Sequence, residues 1–386
     1  MTDGFPLLWL CGPSGVGKTS VGWEIFTRLG RAGIVAGYLD ADQVGLCYPA
    51  PADDPGTHRV KASNVGAMAR TLHAAGASCL VLSGGVRHAA EVSRYAEAVP
   101  DAALTLCRLH VGIDELRARF LGRGWRPELL AENERTAAAL DHSTFADLDL
   151  DVTGLSVAET APRVLERAGG WPGPATASPP GPAPAADRPS GPVPRPVPVL
   201  WLCGASGVGK SEVAWAVFAR LFATGVTAAQ VDLGQLGFLH PTPANGRAND
   251  PAGHRLRARA LAALWPNYRA AGARCLILAG EVDDQETVRG YAEALPDGRF
   301  TLVRLHAGAD VLRERVQLRG RGVGPRLPGD PLLGRSPGEL RRHAEAAARE
   351  AGRLEAAGVG AVRVATDGRA IDAIAAEVAR LLPDLG

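Results

Sequence analysis

The chain has 386 residues, is 46% hydrophobic and 22% charged, and carries a formal net charge of +1. This balance fits a folded, water-soluble protein with an expected cytoplasmic location, and argues against a polynucleotide substrate, which calls for a basic stripe interleaved with aromatics. No apolar run approaches the roughly 18 residues of a membrane span. The apolar N-terminal stretch reads as a core strand rather than a signal peptide, and the six cysteines lack metal or redox spacing, so they read as reduced packing residues.

In chain order, the first half alternates strand 7–11, helix 18–30, strand 34–40, helix 57–75, strand 78–83, helix 87–98, strand 103–110, helices 113–123 and 127–140, strand 147–152 and helix 156–168. Such alternation implies an α/β fold with a mostly parallel, five-stranded sheet covered by helices on both faces. The strand Leu7 to Cys11 runs into Gly12-Pro-Ser14-Gly15-Val16-Gly17-Lys18-Thr19-Ser20, and a helical pattern follows. This is a complete P-loop in its required strand–loop–helix context. Glycines let the backbone wrap a phosphate, amides and the helix N-terminus supply positive potential, and the lysine reaches the outer phosphates. Thr19 would hold Mg²⁺. Lysine is otherwise nearly absent: of 42 basic residues only Lys18, Lys61 and Lys210 are lysines. Lys210 ends a second P-loop, Gly204-Ala-Ser206-Gly207-Val208-Gly209-Lys210-Ser211, where Ser211 takes the metal-binding position.

The two loops belong to a long internal repeat. Trp23/Trp215, Phe26/Phe218, Asp40/Asp232 and Pro49/Pro241 share one offset, and His58/His254, Gly76/Gly272, Cys79/Cys275 and Tyr95/Tyr291 a slightly longer one, which places an insertion near Asn245 to Ala248. Two tandem P-loop domains are therefore expected, at 1–171 and 199–386, joined by a Pro/Ala-rich tether at 172–198. A Gly/Pro/Arg-rich stretch, 319–337, reads as an enlarged lid in the second copy.

The second strand ends Asp40-Ala-Asp42, two carboxylates beside the phosphate site. Asp-x-Asp after a P-loop resembles the small-molecule P-loop kinases, such as shikimate, gluconate and adenylylsulfate kinases. That resemblance implies ATP and Mg²⁺ as cofactors and a small hydroxyl-bearing acceptor. Asp40 would support the metal through water, and Asp42 would orient or deprotonate the acceptor hydroxyl. Arg59 and the Gly84-Gly85 turn match acceptor-binding positions, and Arg117, Arg119 and Arg123 resemble a lid that closes over ATP and neutralises transition-state charge. Lys18, Asp40, Asp42, Arg117 and Arg123 are thus the candidate catalytic residues. The loops at Thr153-Gly154 and Thr366-Asp367 would face adenine. The plainer readings are a turn cap for Asp40 and Asp42, a solvated face for the arginines, a tight turn for Gly84-Gly85, and core histidines at His58 and His254.

No aspartate ends the third strand, so the usual Walker B carboxylate is missing and its burden falls on Asp40 and Asp232. The copies diverge where Asp42 becomes Gly234, Asn64 becomes Ala260, Lys61 becomes Arg257 and Gly85 becomes Glu281. The first copy is the expected transferase. A nucleotide-dependent switch or an ATPase without an acceptor is the alternative reading.

Overall fold

The structure is a computed structural model, which describes residues 4–122, 126–173, 196–240, 250–324, 327–383 and 385. Arg123, the sequence insertion at 245–248 and most of the expected tether lie outside these residues. The chain forms two compact units. The first comprises Met1–Gly45, His58–Ala185 and Phe238–Pro243, the second Leu46–Thr57, Ala186–Gly237 and Ala244–Gly386. No described helix is long and apolar enough to cross a membrane.

In the first unit, strands β1 (Phe5–Cys11), β2 (Ala36–Asp40), β4 (Cys79–Ser83), β5 (Ala102–His110) and β6 (Leu148–Asp151) form a parallel sheet in the order β6-β5-β1-β4-β2. Near-continuous apolar sequence along β1 is what a strand buried on both faces requires. Alternate residues serve opposite faces. Leu8 and Leu10 join the core that also holds Val21, Ile25 and Phe26 of helix α1 (Lys18–Arg31), with Ala161 and Val164 of α6 (Val157–Arg167). On the same strand Trp9 stacks against Tyr95 of α3 (Ala89–Ala98), ring centroids 4.5 Å apart, and α3 packs beside α2 (His58–Ala74). Helices α4 (Ile113–Leu121) and α5 (Leu130–Asp141) pack together after β5. A short 3₁₀ turn, Pro127–Leu129, leads into α5, so the single helix expected from 127 starts later.

A sixth strand, absent from the five-stranded expectation, completes this sheet. It is β9 (Leu239–His240), antiparallel to β2 through Ala36↔His240 and Gly37↔Leu239. Its anchor is Phe238, 3% exposed, which meets Trp23 at 4.8 Å between ring centroids and Tyr38 at 5.9 Å.

The second unit repeats the order with β7 (Val197–Cys203), β8 (Ala228–Asp232), β10 (Cys275–Ala279), β11 (Gly298–His306) and β12 (Val362–Ala365), as β12-β11-β7-β10-β8. Its antiparallel edge is β3 (Cys47–Tyr48), paired with β8. The helices are α7 (Lys210–Ala223), α8 (Pro251–Ala270), α9 (Gln285–Ala294), α10 (Ala309–Gly320), α11 (Pro337–Ala356) and α12 (Ile371–Ala379). Serine caps α11 through a reciprocal Ser336–Glu339 pair. All six cysteines are buried and free, and burial pushes the thiols of Cys11 and Cys203 up to about 12, so they are inert packing groups.

Truncating a buried phenylalanine costs about 3–5 kcal/mol. Phe238→Ala is therefore expected to lower the unfolding free energy of the first unit by that amount and to speed amide exchange along β2. Unchanged exchange at Ala36–Asp40 would contradict the anchoring role.

Candidate active site

The first loop runs from the carboxyl end of β1 into α1. Gly12 sits at φ 135°, and a Cβ there would come within 2.3 Å of the Leu109 carbonyl oxygen, so only glycine lets the loop leave the sheet. Gly17, at φ 110°, turns the chain into α1, so the helix begins with its amides facing the loop. Lys18 Nζ donates to the Pro13 carbonyl at 2.9 Å, folded over the loop it serves.

Two helices clamp the loop. Arg119 on α4 donates from Nη1 to the Val16 carbonyl at 3.1 Å and reaches the Leu155 carbonyl beyond β6 at 3.3 Å. Asn133 on α5, 7% exposed, accepts from Ser14 N–H at 2.8 Å and donates to the Ser14 carbonyl at 2.9 Å. The loop's shape is thus fixed by side chains far away in sequence as well as by its glycines.

At the sheet's carboxyl edge, Asp40 from β2 accepts from Thr19 Oγ1 at 2.9 Å, from Ser83 Oγ at 3.0 Å and from the Asp42 amide at 3.0 Å. Ser83 ends β4, and Tyr38 OH lies 2.8 Å from its hydroxyl, so a relay from Tyr38 through Ser83 reaches Asp40. The serine that ends β4 thereby orients the Asp40 carboxylate. Burial, and then the charge of Asp42, push Asp40 up to about 6. Asp42 moves the other way: burial opposes ionisation, but Lys61, with Lys18 and His58 behind it, outweighs burial and holds this carboxyl below the usual range. Lys61 Nζ meets Asp42 Oδ1 at 2.7 Å, and the Asp42 side chain is 56% exposed, so solvent screens this pair and leaves the carboxylate open to a ligand. Gly45 makes room for the lysine stem, since a Cβ there would lie 2.3 Å from Lys61 Cγ.

The other expected residues divide. Gly84 is a structural close approach: a Cβ would meet Ala41 Cβ at 2.8 Å, and its carbonyl accepts from Trp9 Nε1 at 3.2 Å. Gly85 faces open space next to it. Arg59 is exposed at the start of α2. Arg117 is on the surface, paired with Asp114 at 3.1 Å and Glu134 at 2.9 Å, so of the two described arginines expected to form a lid, Arg119 is the one that reaches the loop. His58 is a core residue, 3.3 Å from both Tyr95 OH and Glu91 Oε1. Thr153 accepts from the Gly112 amide at 2.9 Å, tying the expected adenine loop to the start of α4. Asn133 has no sequence signal because it lies on an ordinary helix. Lys61 has one: in a chain with three lysines, each deserves the question asked of Lys18.

In the second unit the counterparts keep the loop frame. Ser211 Oγ donates to Asp232 at 2.6 Å, Arg315 Nη1 to the Val208 carbonyl at 3.1 Å, and Lys210 Nζ to the Gly204 and Ala205 carbonyls at 2.8 and 3.1 Å. Gly234 stands in place of Asp42, and its amide, not a carboxylate, meets Asp232 at 3.0 Å.

Among the described residues no group of three or more His, Cys, Asp or Glu side chains gathers to hold a metal. A hydroxyl and one carboxylate are nonetheless the hard oxygen donors Mg²⁺ takes when phosphate oxygens and water fill its remaining positions. The donor set at Thr19 and Asp40 fits that ion.

No family model matches the sequence, and no curated protein matches it. Similar solved structures include a tunicamycin resistance protein of Deinococcus radiodurans, 13% identical, covering 42% of this chain and 96% of that one with a TM-score of 0.31. The Mycobacterium tuberculosis APS kinase, solved with AMPPNP and APS, is 22% identical over 49% of this chain and 98% of its own, TM-score 0.30. Shikimate kinase from Acinetobacter baumannii, solved with shikimate, is 19% identical over 42% and 93%, TM-score 0.30.

An acid raised in the folded state stabilises the fold fully below its unfolded value, 3.8 for Asp40, and that contribution is lost as pH rises through about 6. Asp40→Asn removes the slope. In buffer free of divalent cations the variant should gain stability relative to wild type between these two values, followed by urea unfolding. A difference independent of pH would contradict the burial of an unneutralised Asp40.

Proposed function

We propose that the first unit is a phosphotransferase that moves the γ-phosphoryl group of ATP to a hydroxyl of a small metabolite, with Mg²⁺. The observation that carries this reading is the pair of carboxylates two residues apart at the loop: Asp40 turned in to Thr19, Asp42 turned out on Lys61. A generic hydrolase has use for the first alone. An exposed, ionised second carboxylate beside the phosphate end suits a group that orients an acceptor.

The residues divide the labour as phosphoryl transfer demands, which is positioning and charge stabilisation rather than covalent chemistry. Loop amides from Ser14 to Thr19, with Lys18, hold the phosphates. Thr19 and Asp40 would hold Mg²⁺, which when bound neutralises charge on the phosphate oxygens. Asp42 accepts a hydrogen bond from the acceptor hydroxyl, and takes its proton as the new P–O bond forms and the bond to ADP breaks. Its lowered pKa suits orientation ahead of proton removal, since the hydroxyl becomes acidic only as transfer proceeds. Lys61 keeps Asp42 ionised and aimed. The matching strand orders and loop frames of the two units support descent from one duplicated P-loop domain, with 1–171 and 199–386 as its copies around 172–198.

Incubating the chain with γ-labelled ATP and a panel of hydroxyl metabolites should transfer label to one chemical class. Asp42→Asn should keep ATP affinity within about twofold while lowering transfer about 10²- to 10⁴-fold, the range of a lost general acid–base group. Label passing to water alone, with Asp42→Asn unaffected, would favour the switch or ATPase reading instead.

A further inference from the structure

Asp42 and Lys61 touch, but the chain between them does not stay in the first unit. It leaves after Gly45, contributes Leu46–Thr57 to the second unit, and returns at His58 to begin α2. The second copy does the reverse, since Phe238–Pro243 belongs to the first unit. This exchange is position for position. Leu46, Cys47 and Tyr48 correspond to Phe238, Leu239 and His240 by the offset that relates Asp40 to Asp232. Tyr48 pairs with Ala228 as His240 pairs with Ala36, and the Leu46 carbonyl accepts from Gln230 N–H at 2.9 Å as the Phe238 carbonyl accepts from Tyr38 N–H at 3.0 Å. Each sheet is finished by an arm of the other copy.

The arm of the first copy is fastened at both ends. In the second unit its pairing with β8 is backed by Tyr48, whose ring centroid lies 6.2 Å from those of Phe218 and Phe222 on α7. In the first unit α2 holds the segment from which the arm departs: Asn64 Nδ2 donates to the Val44 carbonyl at 2.6 Å, and the Lys61 stem fills the space that Gly45 leaves. The arm returns at Thr57, 2% exposed and at φ 54°, a conformation that a β-branched residue keeps only where its surroundings impose it. Only four residues, Gln43 to Leu46, separate Asp42 from the paired Cys47. A one-residue slip on β8 would turn Tyr48 to the opposite face and shift the chain by about 3.3 Å. The Asp42–Lys61 bond, at 2.7 Å, survives a displacement of only about half an ångström.

We propose that the arm Leu46–Tyr48 is a positioning element for the acceptor pair Asp42 and Lys61, so that the register of the arm on β8 sets the aim of the carboxylate beside the first loop. This rests on the acceptor role proposed for Asp42. It gives the second copy, which has Gly234 in place of Asp42, a task in the chemistry of the first unit.

The scarcity of lysine makes this measurable by NMR in the full chain, since carbon-13 labelling gives one Cε signal each for Lys18, Lys61 and Lys210, with Lys61→Arg assigning the second. Tyr48→Ala removes the ring that seats the arm, and Gln230→Pro removes the N–H that meets Leu46. In variants whose circular dichroism matches wild type, both should speed amide exchange at Cys47 and Tyr48 and move the Lys61 signal toward its position in Asp42→Asn, with the Lys18 signal in place. Tyr48→Phe, which keeps the ring, should leave Lys61 as in wild type. A Lys61 signal unmoved while the arm exchanges freely, an equal displacement of Lys18, or an arm that stays protected in both variants would overturn the positioning role. The acceptor reading fails separately: if Asp42→Asn transfers label as fast as wild type, that reading falls, and this inference with it, even where Lys61 follows the arm.

Discussion

The organising constraint is geometric: a main-chain loop must curl from the end of a strand into the start of a helix, and the protein itself must hold it in that curl. Glycine supplies the conformations, as at Gly12, where the Leu109 carbonyl leaves no space for a side chain. Conformational freedom alone would leave the loop loose. Arg119 and Asn133 fix its carbonyls from α4 and α5, and the buried sheet beneath sets the direction of exit. Preorganisation of this kind is what lets amide dipoles act on a phosphate without first paying to reorient.

Beside that loop, two aspartates with the same side chain acquire opposite tendencies from their surroundings. Asp40 is enclosed, bonded to two hydroxyls and one amide, and pushed toward its neutral form. Asp42 is open and sits on an ammonium. Such separation of two nearby carboxylates is the pattern by which one site acquires two distinct roles. The second unit retains the inner aspartate, Asp232, and loses the outer one. Its loop is framed alike, so the two sites differ in the outer carboxylate rather than in the frame.

The parallel sheets of both units, though not their strand order, were legible because buried parallel strands are apolar throughout and their helices keep a regular period. The strands Cys47–Tyr48 and Leu239–His240 were not, because two residues carry no period and their pairing partners are distant in sequence. Within the site, the P-loops and the Asp40–Thr19 and Asp232–Ser211 pairs follow from motif and strand ends. Which arginine of α4 meets the loop does not: Arg117 and Arg119 read alike as letters, and only the helix's rotation against the sheet sends Arg119 to Val16 and Arg117 to Glu134. Asn133 bonds a residue 119 positions away, a separation over which one sequence holds no pairing information.

The most direct test of the account is a crystal structure of the chain with Mg²⁺ and a non-hydrolysable ATP analogue. The account predicts the β-phosphate within the Gly12–Thr19 loop, accepting from its amides and from Lys18, with the metal at Thr19 and the γ-phosphate directed toward Asp42. A nucleotide bound elsewhere, or a loop that leaves the phosphates unengaged, would contradict it.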